Sequence, residues 1–117
     1  MNENRLPDYL QHMRQAAADS VGFVEGMSRD DFLADKRTQQ AVVMSLIVLG
    51  EAATKVMDRY PDFANAQEQI PWRSMRGMRN RIAHGYFDID LGVVWDTVQD
   101  ALPGLLVAIQ PLLDDSA

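Results

Sequence analysis

The chain has no cysteine, which excludes disulfides and thiolate metal ligands together. Secreted scaffolds usually advertise themselves through paired cysteines, so the absence points to the cytoplasm. Long apolar runs are missing too. The longest, Ala41 to Leu49, is broken by Ser45 and followed by Gly50 and Glu51, short of the ~20 residues that a membrane-spanning helix needs. The first eight residues hold no apolar stretch and carry acidic groups early, so they read as neither a signal nor a transit peptide. Nothing alternates with period two for long enough to suggest a strand. With two histidines, His12 and His84, far apart in sequence, no metal centre or other cofactor is expected.

What is present fits one helical domain over residues 1–117, with 47% hydrophobic and 24% charged residues. The net charge of −6 speaks against nucleic acid, but its distribution does not. Arg73, Arg76, Arg79 and Arg81 fall within nine residues, and no Asp or Glu occurs between Gln69 and Phe87. The rest of the chain holds 7 basic and 17 acidic residues, a net of −10 around a segment of +4. A local cationic patch on an acidic body can hold a phosphate without binding nucleic acid indiscriminately. Four arginines can also simply solvate one helix face.

Turn signals cut the sequence into helices. The first is predicted from Leu6 or Pro7 to about Gly26, with Leu6, Tyr9, Leu10, Met13, Ala17, Val21 and Val24 as its core stripe. Ser28 and Asp31 resemble a capping box that opens a short helix through Phe32 and Leu33. Asp35 caps a long helix ending near Tyr60, where Pro61 stops it; its stripe is Val42, Leu46, Leu49, Ala53, Val56 and Tyr60. Residues 61–70 read as a loop with room for one helical turn. Pro71 opens the arginine helix, which ends at Gly85. Asp90 caps a last helix from Leu91 to about Leu113, kinked or restarted at Pro103. Short connections imply an antiparallel all-α bundle of four to five main helices.

At about 100° per residue, Met75, Met78 and Ile82 of the arginine helix face the core. Arg73, Arg76, Asn80 and His84 share the opposite side, within about 80° of one another. Arg79 lies on the flank, about 140° from His84 on a straight helix. The two can converge if His84 occupies the last turn and Gly85 bends the chain, or if a second copy contributes one of them. A histidine changes charge near neutral pH, so it can take a proton from a ribose 2′-hydroxyl and return one to a leaving oxygen. Arginine offers forked donors to phosphoryl oxygens as charge builds on them. Asn80 can orient a ligand or the imidazole, and Tyr86 can bond a phosphate or stack on a base. Alternatively, His84 only caps its own helix.

The stretch Arg79-Asn80-Arg81-Ile82-Ala83-His84-Gly85-Tyr86 resembles the R-x-x-x-x-H-x-Y motif of the HEPN superfamily. The closer likeness is to its HepT-like branch, the toxin partners of minimal nucleotidyltransferases. Gly50-Glu51-Ala52, Ile70-Pro71-Trp72, Met78 to Arg81, Val94-Trp95 and Leu102-Pro103 match that branch in order, from about Asp35 to Leu113. The resemblance implies a homodimeric helical bundle with two motif helices meeting in a cleft. It implies Arg79 and His84 as the catalytic pair for metal-independent RNA cleavage, with Asn80 as the supporting polar position. It implies Tyr86 as the tyrosine that a nucleotidyltransferase antitoxin modifies with AMP, in a type VII-like toxin–antitoxin pair. The alternative that it leaves is a non-catalytic nucleotide- or substrate-binding subunit of a two-component nucleotidyltransferase.

Other residues divide between roles. Glu51 is either a carboxylate supporting the site or half of an ordinary helix pair with Lys55. Gly50, costly in mid-helix, suits close approach of another helix. Arg73 and Arg76 are candidate phosphate contacts that can equally pair with acidic groups. Trp72 and Trp95 read as core or interface anchors.

Overall fold

The computed structural model describes residues 4–116, and among these every regular element is helical. Helix α1 spans Leu6–Phe23 with Pro7 in its first turn, and buries Tyr9, Leu10, Met13, Ala16 and Ala17. It stops short of the expected Gly26 because that glycine adopts φ 80°. A left-handed residue cannot continue the helix, and here it turns the chain towards α2. Helix α2 (Arg29–Leu33) starts at the anticipated reciprocal cap between Ser28 and Asp31.

Helix α3 (Lys36–Arg59) is capped by Asp35. The Thr38 hydroxyl and, secondarily, the Thr38 N–H donate to this carboxylate and hold it below its ordinary pKa of 3.8. Val42, Leu46, Leu49, Ala53 and Val56 are buried as expected, whereas Tyr60 lies just past the helix, half-buried. The supposed loop contains a short helix, α4 (Pro61–Ala66). Helix α5 (Trp72–His84) follows Pro71, with Met75 and Ile82 buried and Met78 half-buried. A 3-10 turn over Tyr86–Asp88 leads to α6 (Leu91–Asp96), capped by Asp90.

The disturbance expected at Pro103 is a widened π turn over Thr97–Ala101, continuing into α7 (Leu102–Ser116). Pro103 lacks an N–H, and its ring would press on the carbonyl four residues back. The backbone accommodates this by a five-residue reach, with the Leu102 N–H bonded to the Thr97 carbonyl.

Helix α3 is central, packed on α1 along one side and α5 along another, while α7 packs on α1. Arg59 Nη1 donates to Tyr9 Oη at 3.1 Å, tying the end of α3 to the start of α1 and fixing them antiparallel. Helices α5 and α7 do not close on each other. Between them lies an apolar cleft of about 250 Å³ floored by Leu46 and Leu49. By length and composition alone, α3 and the run 91–115 are apolar enough to cross a membrane. The longest uninterrupted run had not suggested this, but half of the α3 window is buried within the fold. Trp72 is buried and Trp95 stacks on Phe32 with centroids 5.5 Å apart, so both anchor the interior.

Candidate functional site

The site is built where α5 crosses α3, and Gly50 sets the crossing distance. A Cβ at this position would overlap Cβ of Arg79 and come within 2.8 Å of the Met75 carbonyl oxygen. The close helix foreseen for Gly50 is therefore α5 of the same chain. With the helices this near, the Arg79 side chain lies along α3 and is only 26% exposed. Its Nη2 donates to Thr54 Oγ1 at 3.3 Å and faces Glu51 Oε1 at 3.8 Å. Thr54 is itself pinned by donating to the Gly50 carbonyl at 2.8 Å.

One donor is left over. Arg79 Nε is buried with no hydrogen-bond partner, the single such side-chain atom among the described residues. Leaving a buried donor unpaired costs about 1–3 kcal/mol, so packing imposes this position against local preference. Sites with such unmet groups are often functional.

His84 is the last residue of α5 and is exposed. Its side chain makes no hydrogen bond or ion pair with any other described residue. The capping role is thus not what holds it. Beyond it Gly85 donates to the Arg81 carbonyl, and the Asp88 N–H returns to the Gly85 carbonyl at 2.9 Å. This closes the turn that carries Tyr86, which is 48% exposed and meets Phe87 edge-on at 6.0 Å. Asn80 is half-buried on α5, its side chain without a partner among the described residues.

The remaining candidates separate. Glu51 turns to Arg79 and forms no bridge to Lys55 among the described residues, so its helix-pair reading gives way to a place beside the arginine. Arg76 pairs with Asp58 at 2.7 Å, an ion pair between α5 and α3 that occupies its guanidinium. Arg73 is exposed without an acidic partner among the described residues, towards the start of α5. Neither Arg79 nor His84 lines any of the main cavities of the single chain.

Sequence reasoning missed Thr54 and Phe87. Thr54 carried a usable signal, since it stands four residues after Gly50 and so shares its helix face. Phe87 carried none beyond its nearness to Tyr86.

Comparison with known proteins decides the family. The model for "Ribonuclease HepT-like" proteins matches residues 13–112. This chain belongs to the HepT-like family. A protein named as a candidate RNase in Methanocaldococcus jannaschii is 36% identical over 110 residues, covering 94% of this chain and 85% of that relative. One named as a probable ribonuclease HepT in Thermococcus cleftensis is 38% identical over 98 residues, 84% and 86% of the two chains. A candidate RNase of Caldanaerobacter subterraneus is 30% identical over 105 residues, 90% and 91%. No solved structure matches the chain. Membership makes this HepT-like protein an RNA-cleaving enzyme by class, in agreement with the reading of its motif helix.

Proposed function

We propose that this HepT-like chain is a metal-independent endoribonuclease toxin whose catalytic residues are Arg79 and His84. The observation that carries the reading is the contrast between them. Arg79 is fixed by the Gly50 crossing with a donor unmet, and five residues later His84 stands exposed and unpartnered. His84 would take the proton from a ribose 2′-hydroxyl, whose oxygen then attacks the adjacent phosphorus. The bond to the 5′-oxygen breaks, and that oxygen leaves with a proton returned by imidazole. Arg79 would neutralise the charge gathering on the phosphoryl oxygens. Glu51 would set the guanidinium, and Asn80 would orient the phosphate or the imidazole. The products are a 2′,3′-cyclic phosphate and a 5′-hydroxyl.

A second copy would complete the cleft. The apolar side chains of Met44 (60% exposed) and Val48 (41%) lie on α3 within two turns of Glu51, a surface suited to self-association. The reading places the protein in the cytoplasm beside a minimal nucleotidyltransferase antitoxin that adds AMP to Tyr86. Bulk and negative charge two residues past His84 would fill the space meant for RNA phosphate. Arg73 is left as an outer phosphate contact, and Arg76 could serve only by exchanging Asp58 for RNA.

Purified protein incubated with RNA in EDTA tests the proposal. Wild type should give cyclic-phosphate ends, and His84→Ala or Arg79→Ala should lower the rate by about 100-fold or more. Intact RNA with saturable nucleotide binding would instead favour the non-catalytic subunit of a nucleotidyltransferase.

A further inference from the structure

Phe87 is 99% exposed, more than any other large apolar side chain described. Its one ring partner is Tyr86. Beside it opens the largest of the main cavities, about 420 Å³, lined by Lys36, Gln39, Gln40 and the apolar side chains of Val43 and Ile89. We propose that this pocket between Phe87 and the start of α3 binds one unstacked base of single-stranded RNA, with Phe87 as the stacking platform. The proposal rests on the cleavage reading above and names how the same site would select its substrate.

Three features favour a nucleobase. An aromatic face open to solvent beside an apolar floor is what a splayed base stacks on, since every base has a π-face. Lys36 has no acidic partner among the described residues, so its ammonium is available to the phosphate that follows the base. Gln39 is oriented, because its Nε2 donates to the carbonyls of Phe32 at 2.9 Å and Leu33 at 3.1 Å. Its Oε1 is thereby left as an acceptor for an amino or imino N–H on the edge of a base.

The pocket is also tied to the imidazole. Phe87 stands three residues beyond His84, in the turn closed by the Asp88 N–H on the Gly85 carbonyl. A base held there would place a neighbouring phosphodiester within reach of His84, so stacking energy would become positioning. A protein partner would find an aromatic anchor as well, but the lysine at the rim is a residue type depleted from protein interfaces.

The test uses the full chain carrying His84→Ala, so that RNA survives, and a fluorescein-labelled single-stranded RNA of about eight nucleotides read by anisotropy. Adding Phe87→Ala should weaken binding about tenfold or more, whereas Phe87→Trp should retain it. Lys36→Ala should weaken it and flatten the salt dependence. In the otherwise wild-type enzyme, Phe87→Ala should raise KM and lower kcat together, because the stacked base positions the phosphodiester. Unchanged affinity in Phe87→Ala overturns the proposal. So does a shift of that variant from dimer to monomer in light scattering, which would make Phe87 an interface residue. Binding that depends on Phe87 without any cleavage in EDTA keeps the subsite and removes the nuclease reading. Undiminished cleavage by Phe87→Ala does the reverse.

Discussion

Arg79 is held by three α3 residues with separable jobs. Gly50 supplies room, Thr54 a hydrogen bond and Glu51 a distant charge. Substitutions should therefore part stability from activity. Gly50→Ala forces a methyl group against Arg79 and should cost about 1–3 kcal/mol in urea unfolding, as overpacked cores do. Thr54→Val keeps the shape and should leave the urea midpoint nearly unchanged. Its RNA cleavage should fall about tenfold, the scale of one charge-assisted hydrogen bond. Equal losses of both properties in both variants would contradict this division. The arginine, histidine and tyrosine proposed for the site could be picked out in sequence because their spacing is itself a motif. Thr54 was only half legible: its spacing from Gly50 puts it on the same helix face, but its contact with Arg79 depends on the register of α5 against α3.

Helix boundaries were largely legible, since caps are local chemistry: Ser28, Asp35 and Asp90 each begin the helix that their side-chain oxygens announce. The misses follow from competing local preferences. Gly26 acts as a left-handed turn rather than a helical end, and the disturbance expected at Pro103 takes the form of a π turn ahead of it. The cap of α3 should be measurable through pH. Thr38 holds the Asp35 carboxyl below its usual 3.8, so the folded state favours the charged form. That contribution is complete above about pH 3.8 and fades as pH falls through the lower folded value. The urea midpoints of wild type and Asp35→Ala should therefore differ at pH 7 and converge in acid below 3.8. A gap that stays constant into strong acid would show that the carboxylate's charge plays no part.

For the molecule as a whole, composition and periodicity were enough for an all-helical domain, but not for which helices touch. Helices α5 and α7 flank an apolar cleft instead of packing on each other, an arrangement of the bundle that local periodicity does not encode. The chain measures 48 × 29 × 25 Å. Helix α3, with 24 residues and so about 36 Å long, fits only along the longest of these dimensions. Met44 and Val48 consequently lie on a flank rather than at a tip. Two copies joined on that flank would make a squat particle about as wide as it is long. Joined tip to tip, they would make a rod of twice that length. Small-angle scattering separates the two outlines at once, and a rod would leave each copy's Arg79 without a neighbour to share RNA with.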